Sequence, residues 1–177
     1  KVDYIGQGLA LSAGRYVIRS VTDGRVPIQT YFFPETDSLS DTYLKAAAAH
    51  IQFYEALHGP YPFSKFAVVE NFFPTGYGFP AWTLLGQQVL RLPFIKATSL
   101  GHEVLHNWWG NSVYVDYSRG NWCEGLTVYG ADYRYKLNES PSAAKEYRKD
   151  ILKQYVSYVS KDKDFPLREF TSRTSPN

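Results

Sequence analysis

The sequence predicts an α+β chain, because strand-like and helix-like patterns are segregated along it. Runs rich in β-branched and aromatic residues occupy the first part, and 3.6-residue periodicity dominates beyond residue 98. No internal repeat or low-complexity segment interrupts this order. With 177 residues and 44% hydrophobic content, the chain can bury one sizeable core or a core with a small appendage.

From 2 to 33 the pattern is strand-like, and Tyr16-Val17-Ile18-Arg19-Ser20-Val21 and Val26-Pro27-Ile28-Gln29-Thr30-Tyr31-Phe32 flank Thr22-Asp23-Gly24-Arg25. An Asp-Gly pair between two such runs predicts a β-hairpin. Residues 1–35 are expected to form a β-rich segment, either the end of a preceding β domain or the start of the sheet, with 36–177 as the main domain. Ser38 and Asp41 are spaced like a capping box, and the apolar positions of 43–58 predict a helix that Gly59-Pro60 ends. His50 and His58 on that helix are two turns apart, lack a partner at ligand spacing, and read as structural.

Phe66-Ala67-Val68-Val69-Glu70 predicts a buried strand. In Phe73-Pro74-Thr75-Gly76-Tyr77-Gly78-Phe79-Pro80 the glycines let backbone pass close to another group. A strand over 81–92, centred on Trp82-Thr83-Leu84-Leu85, is expected at a sheet edge, where its amides can meet an extended ligand. Helices follow over 98–110, over 122–137 with Asn138 as its end, and from the Ser140-Pro141 cap through Val159. Residues 111–121 and 161–177 read as loop.

A net charge of +2 without a basic cluster excludes nucleic-acid or membrane-surface binding driven by charge. No apolar run is long enough to span a bilayer, and the opening residues lack the parts of a signal peptide. A chain that opens at Lys1 and contains no Met reads as a piece of a longer protein, so its localisation stays open. The single Cys123 cannot form an internal disulfide. An aromatic content of 17% suits a ring-lined cleft, although core packing accounts for most such residues.

The chemistry concentrates in Thr98-Ser99-Leu100-Gly101-His102-Glu103-Val104-Leu105-His106-Asn107-Trp108-Trp109-Gly110. His102 and His106 are four apart, which on a helix brings their side chains to one face, within reach of one zinc ion at roughly 2.0–2.1 Å. Glu103 lies one residue round, where a carboxylate can act as general base without becoming a ligand. A catalytic zinc site needs a third protein ligand. The metzincin pattern is excluded, since Trp109 and Ser112 stand where it requires Gly and His. Asp116, Cys123, Glu124, Asp132 and Glu139 remain, and Glu124 begins the next helix, where a helical hairpin would return it towards the His pair.

His102-Glu103-Val104-Leu105-His106-Asn107-Trp108-Trp109-Gly110-Asn111, followed by Trp122-Cys123-Glu124-Gly125-Leu126, resembles the gluzincin zinc aminopeptidases, the family of aminopeptidase N. Gly59-Pro60-Tyr61-Pro62-Phe63 and the strand after it extend the likeness over roughly 41–140. The resemblance implies a thermolysin-like zinc peptidase domain, a mixed β-sheet followed by a helical part carrying the metal site, truncated at its C-terminal end within 36–177. It implies one Zn2+ per chain on His102, His106 and Glu124, with Glu103 activating water and a peptide or protein as substrate. The family's transition-state Tyr is expected beyond Asn177.

Two departures bear on specificity and geometry. Cys123 stands where the family has Asn, after a slightly shorter spacer. Where the family holds the substrate's amino group with the Glu of Gly-x-Met-Glu-Asn, this chain reads Gly76-Tyr77-Gly78-Phe79-Pro80. Gly76, Tyr77, Gly78 and Phe79 are therefore expected to shape the substrate cleft, and Glu70, followed by Asn71, is the candidate amine anchor. The missing carboxylate keeps two alternatives beside an aminopeptidase: a zinc endopeptidase, or an inactive zinc-containing peptide-binding module.

Overall fold

Asp23 pairs with Val26 across a two-residue turn in which Gly24 takes φ +73°, a backbone region that glycine enters without steric cost. This turn joins β1 (Val17–Asp23) to β2 (Val26–Phe32) in an antiparallel hairpin, as the Asp-Gly signal predicts. The computed structural model describes residues 10–74 and 76–171. The strand pattern expected from residue 2 lies partly outside these residues, and 10–16 are not strand.

The chain divides into two compact units, Lys1–Ser112 and Val113–Asn177. The first is built on a five-stranded mixed sheet of order β1-β2-β3-β5-β4, with β3 (Phe66–Asn71), β4 (Gly76–Phe79) and β5 (Trp82–Gly86). β2, β3 and β5 are parallel, and β4 returns antiparallel on the outer side of β5. The hairpin of 1–35 is thus hydrogen-bonded into the same sheet as the later strands.

Alternation in β2 sends Val26, Ile28, Thr30 and Phe32 to a buried face, onto which α1 (Ser40–His58) packs. The parallel step from β2 to β3 requires such a crossover helix. Tyr43, Ala47, Ile51 and Tyr54 form the buried stripe of α1, and Phe32 meets Tyr43 edge to face at 5.5 Å. The Tyr43 hydroxyl donates to the Leu90 carbonyl at 2.9 Å.

Several local expectations are corrected. Ser38 does not cap α1: Asp37–Leu39 form a 3-10 turn and the helix starts at Ser40 with no side-chain cap. The strand expected over 81–92 stops at Gly86 and turns into a short helix, α2 (Gln87–Leu90). A Cβ at Gly86 would sit 1.9 Å from the Phe73 carbonyl oxygen, so the chain closes there against its own backbone. The sheet edge belongs to β4, whose glycines mask a strand pattern, and not to β5, which is paired on both sides. The helix expected over 98–110 is shorter, α3 (Ser99–Leu105), and the Thr98 hydroxyl donates back to the Phe94 carbonyl. Gly110, at φ +105°, completes the turns that follow.

In the second unit, α4 (Cys123–Val128), a π-helical turn at Tyr129–Tyr133 and α5 (Arg134–Glu139) make one nearly continuous run. It covers the helix expected over 122–137, with the wide turn absorbing Gly130. Ser140 accepts from the Ala143 amide at 3.0 Å and Pro141 opens α6 (Pro141–Tyr158), as the cap signal predicts. A 3-10 turn at Leu167–Glu169 interrupts the expected terminal loop, whose last six positions lie outside the described residues. Among the described residues no helix is long and apolar enough to cross a membrane.

Candidate metal centre

α3 is held by burial: Leu100, Val104 and Leu105 are all 0% exposed, leaving its remaining face for polar groups. The Nε2 atoms of His102 and His106 stand 3.2 Å apart, with ring planes at 76°. A tetrahedral ion with bonds of 2.0–2.1 Å separates its ligand atoms by about 3.3–3.4 Å, so the pair is spaced for a shared cation. His106 Nδ1 lies 3.1 Å from the Trp109 carbonyl, which fixes that nitrogen as the N–H donor and leaves the Nε2 lone pair for a metal.

Glu124 is the second residue of α4. It lies in the second unit and is the carboxylate that the sequence pattern adds to the His102 and His106 pair of the first. Two imidazoles and a carboxylate suit zinc better than magnesium or calcium, which favour oxygen donors. The residues present therefore fit the ion that the sequence pattern implies.

Glu103 lies beneath the sheet edge. A Cβ on Gly78 would stand 3.0 Å from Glu103 Oε2 and 3.1 Å from the His106 Cβ, and one on Gly76 would stand 3.3 Å from Glu103 Oε1. Both glycines thus let the β4 backbone approach α3 more closely than a side chain would allow. Tyr77, between them, is 57% exposed, and Phe79 stacks on Trp82 at 4.4 Å.

Glu70 is placed differently. It is fully buried in β3, and its Oε2 accepts from the Phe33 amide at 2.7 Å and from the Thr36 hydroxyl. Its carboxylate ties the end of β2 to the entry of α1.

The other histidines sit among packing groups. His50 Nε2 meets the Lys96 carbonyl at 2.7 Å, and burial holds the pKa of His50 below the usual imidazole range. His58 stands edge-on to Trp109 at 5.3 Å and is shifted the same way by burial. Trp108, 5% exposed, donates to the Gly59 carbonyl at 3.2 Å and packs edge-on against Tyr54 and Tyr61. Six aromatic residues are buried in this way, but ten others among the described residues are exposed, so core packing does not account for most of the aromatic content as expected.

Sequence reasoning passed over Asn107. It is 0% exposed, and its side chain bonds Tyr61, Ala81 and the helix backbone. A lone Asn beside a ligand His has no spacing pattern that would single it out.

Neither a family model nor a curated protein matches the sequence. Solved structures share the fold. An M1 zinc metallopeptidase from Deinococcus radiodurans aligns with a TM-score of 0.61 at 16% identity, over 90% of this chain and 36% of that one. Its E323A mutant gives 0.58 at 16% identity, over 88% and 35%. Yeast LTA4 hydrolase gives 0.52 at 21% identity, over 63% and 18%. The chain thus spans little more than a third of these proteins at most, and its mixed α+β architecture resembles that of M1 peptidase domains.

Proposed function

We propose that this chain carries the metal-binding part of a zinc-dependent peptidase of the aminopeptidase N-like kind, with His102, His106 and Glu124 as ligands and Glu103 as general base. The His102 and His106 Nε2 atoms, 3.2 Å apart and spaced for one cation, are the observation that carries the reading. Bound zinc supplies Lewis-acid polarisation of the scissile carbonyl and of water. Glu103 takes a proton from the attacking water on a carboxylate oxygen and passes it to the leaving amine nitrogen. Gly76 and Gly78 let the β4 backbone pass at contact distance over that carboxylate, so an extended peptide lying along this edge strand would run beside it. Tyr77 and Phe79 then offer rings to its side chains.

The test is Glu103→Gln in the full chain. Zinc content should stay at one ion per chain, while hydrolysis of an unblocked peptide falls about 10²–10⁴-fold, the range of general-base catalysis. Near-parental turnover would remove Glu103 from the mechanism, and loss of zinc would make it a ligand.

A second reading, an endopeptidase, is favoured by one observation. No residue of β4 is acidic, and Glu70 is buried with Oε2 already bonded to Phe33 and Thr36, so Glu70 is left out of the proposed cleft. Matched free and N-acetylated peptides separate the two, since an aminopeptidase rejects the blocked form.

A further inference from the structure

The turn between β4 and β5 carries an unusual residue. Phe79 pairs with Trp82, leaving Pro80 and Ala81 as the loop, and Ala81 has φ +71°, the only positive φ outside glycine among the described residues. Proline followed by a left-handed residue is the type II pattern, in which the second position strongly favours Gly. An alanine there is strained, and the strain has to be offset by the surroundings.

Two contacts hold the Ala81 peptide groups. The Ala81 carbonyl accepts from the Ala67 amide of β3 at 3.0 Å, and the Ala81 amide donates to Asn107 Oδ1 at 2.9 Å. The same oxygen accepts from the Tyr61 hydroxyl at 3.0 Å. Asn107 Nδ2 donates to the Val104 carbonyl at 2.9 Å and more weakly to that of Glu103 at 3.4 Å. Two donors face the oxygen and two carbonyls face the nitrogen, so the amide has one allowed orientation. A residue adjacent to His106 thus grips the hairpin whose other arm passes over Glu103 at contact distance.

We propose that Asn107 is a positioning residue: by holding the left-handed Ala81 turn it fixes the height of β4 above Glu103 and so sets how well an extended peptide binds. The inference rests on the peptidase reading for its substrate, but the coupling between Asn107 and the hairpin does not. Asn107 touches neither peptide nor metal.

The experiment combines Asn107→Ala with Ala81→Gly, because glycine accepts φ +71° without the clamp. In the Glu103→Gln background, binding of pentaalanine by calorimetry should weaken about tenfold with Asn107→Ala, roughly the worth of one hydrogen bond, and recover when Ala81→Gly is added. In the Glu103-intact chain the same change should appear in KM more than in kcat. Zinc content should not move. Amide hydrogen exchange of residues 76–82, apart from 81 itself, should rise in Asn107→Ala and fall again in the double variant, while β1–β2 stays protected. A generic core defect would loosen the whole unit and would not be rescued from Ala81. Unchanged binding and exchange, or no rescue, overturns the proposal. Should Asn107→Ala fail to fold, Asn107→Asp keeps the oxygen facing the Ala81 amide, and loss of hairpin protection there is equally fatal. A chain that hydrolyses no peptide but shows the rescued exchange pattern sinks the peptidase reading and leaves the coupling standing. Hydrolysis without the exchange pattern does the reverse.

Discussion

β3 and β4 belong to one sheet, are separated in it only by β5, and have opposite characters. All of β3 is buried, from Phe66 at 0% to Val69 at 7%, whereas no residue of β4 is buried and Tyr77 stands 57% exposed. Each strand passes near a carboxylate. Glu70, on β3, accepts through Oε2 from the Phe33 amide and the Thr36 hydroxyl, while Glu103 lies under the glycines of β4. Position in the sheet separates framework from the proposed chemistry: the central strand ties Glu70 Oε2 to two donors while its Oε1 is buried without a hydrogen-bond partner among the described residues, and an edge strand can leave backbone and space for a ligand.

Glu70→Ala should break the comparison most severely on its framework side. It leaves the Phe33 amide without its acceptor and the Thr36 hydroxyl with only the Phe33 carbonyl at 3.1 Å, and it opens a cavity, which together cost about 3 kcal/mol of unfolding free energy. Glu70→Gln keeps one acceptor oxygen and should lose less than half of that. Denaturant unfolding measures both. KM per folded molecule should be unchanged in either variant, and a rise confined to peptides with a free amino terminus would instead restore Glu70 as an amine anchor.

Gly78→Ala acts on the other strand with the opposite split. Its Cβ would crowd Glu103 Oε2 at 3.0 Å and the His106 Cβ at 3.1 Å, displacing the carboxylate by a few tenths of an ångström. If Glu103 is the general base proposed above, turnover should drop about tenfold, because misplacement of such a group on this scale is costly, while stability changes by less than about 1 kcal/mol. Gly76→Ala, whose nearest neighbours are 3.2 and 3.3 Å away, should show a smaller version of the same effect. Parental activity for Gly78→Ala would mean that β4 does not constrain Glu103.

The contrast between the strands was only half legible in the sequence. Four apolar residues, Phe66 to Val69, announce a buried strand, and the Asp-Gly turn, the helix of Tyr43 and the Ser140-Pro141 cap are local chemistry with one dominant outcome. The His-Glu-x-x-His spacing is equally local, since four residues on a helix fix two side chains on one face. What remained hidden depends on contacts far apart in the chain. β4 has two glycines in four residues and shows no alternation to read. Gly86 ends β5 because Phe73 backbone blocks it, and the Asn107 grip on Ala81 joins residues 26 positions apart. Glu70 looked available because it stands beside Asn71, and nothing local reveals that Phe33 and Thr36 already bind it.

The smallest effect sharpens the framework side by pH. His50 lies on α1, the helix that covers the sheet face beneath which Phe32 and Ile28 are buried, and its Nε2 meets the Lys96 carbonyl, an arrangement that the neutral ring satisfies by donating. Burial lowers its pKa below the usual imidazole value of about 6.5, and the hydrogen bond to Lys96 only partly opposes that shift. In the unfolded chain the ring gains its proton as pH falls through about 6.5, while the folded ring resists until lower pH, so the unfolded state binds more protons in that window. Stability should therefore be lost as pH drops below about 6.5 and level off below the folded pKa. His50→Gln retains a donor for Lys96 and removes the titration, so its unfolding free energy should fall less between pH 7 and 5 than the parent's, by a fraction of the Glu70→Ala effect. His58, shifted in the same direction, adds a term that both proteins share and that cancels in the comparison. Equal slopes for parent and variant would mean that acid acts on this fold elsewhere than at His50.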